Sequence, residues 1–296
     1  MMRGMLCAIA LALLLLPATA TPARGESRTL VVTDELQLGL ADMFLAEGEY
    51  YRAITEYQRF LYFFPEAEQA NYARLQIGMA YFRGGEYPQA IEAFARIRQS
   101  YPSEHFAKAV FYEGVCRSRL KNPKGAQDDF ERVVAAAPAA PEADAALAGL
   151  ALAALDRNDR DGSRQTVQRL ATDYPHTPRG AAAADALALF AEDEKHPRKS
   201  PLLAGALAAV VPGSGHAYAG RPRDGLAAFL VNGLFIAGTV VALEDENYPA
   251  AALLGAAGLP FYLGNIYGAS EAARKWNLSL ASDLRADLAL KLDYRY

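Results

Sequence analysis

The sequence predicts an all-α protein: a superhelix of helix-turn-helix repeats followed by a transmembrane helical hairpin. Three observations predict it. A repeat of near-constant length runs through the middle of the chain, apolar blocks crowd the region after residue 200, and a short apolar stretch opens the sequence. The chain has 296 residues, a formal net charge of -4 and 52% hydrophobic residues. That share is somewhat high for a soluble protein, and it is concentrated at the two ends and in alanine-rich middle helices. The weakly acidic balance gives no basic footprint for nucleic acid.

Residues 1–20 read as a secretory signal. Arg3 supplies the positive start, Leu6 to Leu16 is an unbroken apolar run, and Pro17 ends it. Ala18-Thr19-Ala20 has the small-x-small form of a cleavage site. The run is well short of the roughly 20 residues a spanning helix needs, so cleavage near Ala20 is expected rather than an uncleaved anchor. Cys7 lies at the start of the run rather than just after it, which argues against a lipid attachment site. Once Cys7 is removed, Cys116 stands alone. A disulfide framework within one chain and a cysteine zinc site are then excluded, and Cys116 is expected as a small core residue.

Four units carry a small residue, an alanine-like residue, an aromatic or branched residue and a proline in register. They are Ala41, Ala53, Tyr57 and Pro65; Gly78, Ala90, Phe94 and Pro102; Gly114, Ala126, Phe130 and Pro138; and Ala151, Ser163, Val167 and Pro175. Successive prolines are 37, 36 and 37 residues apart, and the offsets within each unit are 12, 4 and 8. Each unit divides into two helices. In the second, Tyr72, Leu75, Met79 and Phe82 recur at helical spacing, Arg83-Gly84-Gly85-Glu86 breaks the pattern, and Tyr87, Ala90, Ile91, Phe94 and Ile97 resume it. Tyr101-Pro102 stops the second helix, because proline disfavours helix at the residue before it. Small residues belong where two helices cross closely. Gly78 and Ala90 are expected at that crossing, with Phe94 filling the next layer.

The second unit, with Ile77-Gly78, Tyr81, Ala90, Phe94 and Pro102, resembles a tetratricopeptide repeat. The first and third units resemble it less closely, and the fourth is degenerate. The period exceeds the usual 34 residues. The polar insertion after each proline, as in Tyr101-Pro102-Ser103, resembles bacterial periplasmic repeat proteins of outer-membrane assembly and cell-envelope coordination. The resemblance implies a stack over residues 34–193, closed by a capping helix from Thr177 to Ala191, with a concave groove lined by the first helix of each unit. Groove positions it implies are Tyr72, Leu75, Met79, Arg83, Lys108, Phe111 and Arg119. Arg83, Lys108 and Arg119 have two readings, a site for an acidic or carboxylate-ended segment and ordinary solvated helix surface. Tyr57, Phe60, Tyr62, Phe63 and Phe64 spread round more than one helix face, as core plus packing on the next unit or as a partner patch.

Composition changes after Glu192. Residues 194–200 are charged and proline-broken and read as a linker, and residues 201–275 form a hydrophobic membrane module. Gly225 to Leu243 and Pro249 to Ser270 carry no charge and are long enough to span a bilayer; a hairpin buried in a soluble domain is the alternative. Gly264 and Gly268 have the four-residue spacing that lets helices approach in lipid. Arg221, Arg223, Arg274 and Lys275 flank the two blocks, and Glu244-Asp245-Glu246 lies between them, so the basic ends are expected in the cytoplasm. An exported repeat domain then requires one further crossing between Ser200 and Arg221, against the charges of Lys195, Arg198 and Lys199. A re-entrant segment there would set the export and charge arguments in conflict.

The string Pro212-Gly213-Ser214-Gly215-His216-Ala217-Tyr218-Ala219-Gly220-Arg221 resembles the opening signature of small two-helix bacterial membrane domains of unassigned role. His216 and Tyr218 are expected as interfacial anchors; the string lacks the ending of a phosphate loop. In the tail, residues 276–296, the alternation of Leu288, Leu290, Leu292, Tyr294 and Tyr296 suggests a strand. A short amphipathic helix with a frayed end is the preferred reading. The four histidines are far apart, no hydrolase or dinucleotide motif is present, and acidic pairs such as Asp128-Asp129 read as solvated surface. No catalytic, cofactor or metal site is therefore expected. The expectation is a scaffold tethered to the inner membrane with its repeats in the periplasm, whose partners are envelope proteins or peptides and the lipid bilayer. The alternative is a membrane biogenesis or transport component acting through the hairpin.

Overall fold

The computed structural model describes residues 30–99 and 104–296. The signal-type segment, Cys7 and Pro102 lie outside the described residues. Four antiparallel helix pairs come first: α1 (Asp34–Ala46) with α2 (Tyr50–Phe63), α3 (Ala70–Arg83) with α4 (Tyr87–Gln99), α5 (Phe106–Arg119) with α6 (Pro123–Ala136), and α7 (Ala143–Asp156) with α8 (Arg160–Asp173). A further helix, α9 (Pro178–Glu194), packs on α8.

Helix starts follow local chemistry. The side chains of Thr33, Asn122, Asp159 and Thr177 each accept a backbone N–H bond from the first turn, and Pro123 and Pro178 stand directly after two of these caps. The turn inside each pair passes through a left-handed residue in the same register: Gly48, Gly85, Lys121 and Asn158, with φ between 60° and 81°. Glycine adopts this conformation without steric cost, and asparagine tolerates it better than most residues.

The small-residue expectation holds at the crossings. A methyl group on Gly78 would collide with the Phe94 ring, and one on Gly114 would lie 2.7 Å from the Phe130 ring. Tyr57, Phe60, Phe94 and Phe130 are buried, and Tyr62 and Phe63 of the same aromatic run face outward. The degenerate fourth unit keeps the packing, with Ser163 and Val167 buried at the equivalent positions. Cys116 is buried, and burial pushes its thiol up to about 12.

The reading of Asp128-Asp129 as solvated surface fails at one residue. Asp129 is 2% exposed and pairs with Arg117 and with Arg132, the latter at 2.9 Å. Arg117 also reaches the buried Glu113 at 3.3 Å, and Arg98 approaches Glu113 at 3.2 Å. Burial of a carboxylate demands such partners; Asp129 finds both within its own unit, and Glu113 takes Arg98 from the preceding one.

The C-terminal region contains α10 (Pro201–Val210), α11 (Ser214–Tyr218), α12 (Pro222–Glu244) and α13 (Tyr248–Lys291). At about 1.5 Å per residue α13 is about 66 Å long. α12 and the first part of α13 are long and apolar enough to cross a membrane, and their outer faces, including Leu230, Leu234, Leu253 and Phe261, are exposed.

α10 runs down α13 and α11 returns. Lys199 donates its N–H to Asn277 at 2.8 Å, the Tyr262 hydroxyl bonds to Ala209 O, and Trp276 lies against Gly220. Residues 199 and 221 thus sit at the same end of the module, so this segment folds back and does not make the crossing required above. The linker is also not loose: Asn277 bonds Lys199 N and O at 2.8 Å each, and Ser200 N donates to the Tyr218 hydroxyl at 3.0 Å.

The tail bears out the amphipathic helix, as the last part of α13, and departs from expectation only after it, where Tyr294 and Tyr296 are packed rather than frayed. Leu284, Leu288 and Leu292 are buried against the repeat core while Leu290 is 82% exposed. Burial every fourth residue is the helical pattern.

Candidate functional site

First helices of consecutive units touch each other, α3 with α5, α5 with α7 and α7 with α9, and so form the inner face of the stack. That face has two halves. The half formed by α1, α3 and the start of α5 is open and polar. Tyr57 and Tyr72 both donate hydroxyl bonds to Asp42 Oδ1, at 2.5 and 3.1 Å. Desolvation, with the Asp42 carboxylate beside it, pushes the Tyr57 hydroxyl above the ordinary phenol range. The Tyr72 ring lies 6.4 Å from that of His105. Arg83 and Arg119 are exposed and Lys108 is half-buried.

Three of the expected groove residues are corrected. Leu75 and Met79 are 2% and 6% exposed and belong to the core between the second and third units. Phe111 is 1% exposed for a different reason: it is covered from the groove side by Tyr296, ring centroids 5.0 Å apart and edge-on.

The other half of the inner face is filled by the end of α13 and the residues after it, which pack on α7 and α9. Leu284, Leu288 and Leu292 supply the apolar contact, each burial being worth about 1.5–3 kcal/mol at most. Tyr296 packs on Phe111 and Tyr112, and Tyr294 on Tyr296 at 5.2 Å. Gly149 makes room: a methyl group there would lie 2.7 Å from both the Tyr294 hydroxyl and the Phe130 ring. The Tyr294 hydroxyl is buried without a hydrogen-bond partner among the described residues, and burial raises its pKa above the phenol range. At the rim, Arg285 pairs with Asp156 at 2.6 Å and Lys291 with Asp185 at 3.7 Å. Tyr112, Gly149, Tyr294 and Tyr296 were missed by sequence reasoning. The signal that could have found the tail was the spacing of Leu284, Leu288 and Leu292.

The glycine string of the C-terminal region has a packing role. Gly213 has φ +88°, and a side chain there would strike the Gly225 carbonyl; at Gly215 it would strike that of Ala204. Asn265 closes the turn, accepting from Gly213 N and donating to Ala208 O, both at 3.0 Å. Gly220 has φ +84° beneath Trp276, and Lys199 Nζ lies 5.0 Å from the Tyr218 ring. Pro212 is half-buried at the turn. Gly268 receives His216, while Gly264 has nothing near it, so the pair does not act together within this chain. Among the described residues no group of three His, Cys, Asp or Glu side chains is placed to hold a metal.

Residues 72–103 match the family model of the tetratricopeptide repeat. The match falls on the unit built by α3 and α4, whose crossing geometry the other pairs repeat. This part of the chain is a tetratricopeptide repeat. No curated protein matches the chain in sequence. Solved structures similar to this chain include a tetratricopeptide repeat protein of Parabacteroides merdae, at 11% identity and TM-score 0.45, over 80% of this chain and 98% of that one. PilF of Pseudomonas aeruginosa aligns at 14% identity and TM-score 0.44, over 79% and 95%. MamA of Desulfovibrio magneticus aligns at 19% and 0.42, over 58% and 100%.

Proposed function

We propose that this protein is a scaffold, anchored in the inner membrane by α12 and the first part of α13, whose concave face binds envelope proteins or peptides. The observation that carries the reading is α13 itself. One continuous helix begins as an apolar segment with an exposed outer face and ends inside the tetratricopeptide stack. Contiguous exposed apolar surface of this kind calls for lipid or protein cover.

The signal-type segment directs the repeats to the periplasm. With α10 and α11 folded back, Arg221, Arg223, Arg274 and Lys275 share the compartment of the repeats, and the acidic loop at Glu244–Glu246 lies on the other side. This orientation goes against the charge rule, but the first apolar segment of a chain usually dominates orientation. The open groove half, with Tyr72, Arg83 and Lys108, is the proposed contact for partners. No catalytic or cofactor chemistry is proposed.

Two measurements test the reading. Full-length protein is expected to stay in the membrane pellet after alkaline carbonate washing; release would remove the anchor. Photo-crosslinkers at Tyr72 and Arg83 in cells are expected to trap discrete protein adducts, and their absence from a folded, membrane-bound protein would make the repeats a spacer.

A further inference from the structure

The covered half of the concave face is filled by this chain's own residues 284–296, and their chemistry describes what that half accepts. We propose that the face formed by α5, α7 and α9 is a docking site for a basic-edged amphipathic helix of a partner protein, and that residues 284–296 are its resident occupant, displaced when the partner binds. The inference rests on the concave face being a binding surface, and it names the kind of partner.

Three observations carry it. First, the match is that of a ligand in a groove. Leucines at positions 284, 288 and 292 line one face of the segment and are buried, whereas Leu290 points out and is 82% exposed. Such i, i+4 anchoring is the usual mode of helix-in-groove recognition. Second, the rim is charge-complementary. The acidic side chains belong to the repeats, Asp156 and Asp185, and the basic ones to the segment, Arg285 and Lys291. Both pairs are partly exposed, so they direct register more than they hold the segment down. Third, the fit is incomplete. The Tyr294 hydroxyl is buried against Gly149 and Phe130 with no hydrogen-bond partner among the described residues. An unpaired buried hydroxyl opposes docking, so a partner that places an apolar ring or a satisfied donor there gains over the resident.

The occupant therefore has leucines or similar residues four apart, arginine or lysine on the flanks, and an aromatic ring that reaches Phe111. Displacement would leave the linker, through the Asn277 bonds to Lys199, as a remaining tie between the stack and α13.

The test uses full-length protein and a fluorescent synthetic peptide of residues 280–296 as the probe. Wild-type protein is expected to bind it poorly, since the site is filled. The double variant Leu288→Asp/Leu292→Asp is expected to bind it at least tenfold more tightly while its repeats keep their helical signal. A folded variant that fails to bind would overturn the proposal. So would a variant whose repeats melt with the loss of the tail, because the segment would then be part of the core. Hydrogen exchange on the wild type guards against a misfolded variant: amides of residues 284–291 should exchange at least tenfold faster than those of α7 and α9. Equal rates would overturn the proposal. An exchanged-tail dimer would do so as well, by making a second copy the occupant. Crosslinking from Arg83 in the open half tests the underlying reading separately.

Discussion

Single residues carry strains that can be released or exposed. Lys121 holds φ 60° at the turn where two other units place glycine and the fourth places asparagine. A left-handed β-carbon costs about 1–2 kcal/mol, partly offset by the flexibility a glycine adds to the unfolded chain. Lys121→Gly is expected to raise the melting temperature of the repeats by a few degrees, measured by circular dichroism; a fall would mean that the lysine side chain makes a compensating contact. Arg117 has the opposite character. It sits between two buried carboxylates, Glu113 and Asp129, on different helices. Removing one partner from such a network leaves charge uncompensated, at about 3 kcal/mol. Arg117→Met should lower denaturant stability by that order, with a loss under about 1 kcal/mol indicating that Arg98 and Arg132 suffice.

At the scale of elements, the glycine-rich turn between α10 and α11 matters because four chain segments meet there. Gly213 combines a left-handed backbone with contact against the Gly225 carbonyl, and Asn265 ties its N–H to α13. Gly213→Ala is therefore expected to unseat α10 and α11 from α13 and lower the thermal stability of the detergent-solubilised protein, leaving the repeats helical. An unchanged melting profile would show that the turn can open without loss. Much of this was legible beforehand: the register of Gly78 with Phe94 and of Gly114 with Phe130 follows from close helix crossing. The fold-back of residues 201–220 was not. An apolar block broken by Pro-Gly has the same composition whether it crosses or returns, and only the pairing of Lys199 with Asn277 and Gly220 with Trp276 distinguishes the two.

At the scale of the whole molecule, the docked tail fixes parity. The repeats and everything after about Trp276 must occupy one compartment, because Leu284, Leu288 and Leu292 are buried in the repeat core. Under the proposed anchoring, two crossings by α12 and α13 leave the loop at Glu244–Glu246 on the opposite side. Cysteines placed at Ser279 and at Glu246, in a membrane-embedded protein, should label from opposite faces with an impermeant reagent. Labelling of both from one face would mean that the hairpin does not cross.

The sequence by itself determined the four helix pairs, their period, the crossing glycines and the two long apolar segments, because these are set by spacing within a repeat unit and by composition. Tertiary structure alone decided which groove residues are accessible. Leu75, Met79 and Phe111 carry the first-helix pattern, yet two are taken into the inter-unit core and the third is covered by Tyr296 from 185 residues further along the chain. It also decided that Asp129 is buried. A side chain's solvent exposure depends on what the rest of the chain lays over it, and neither local periodicity nor composition contains that information.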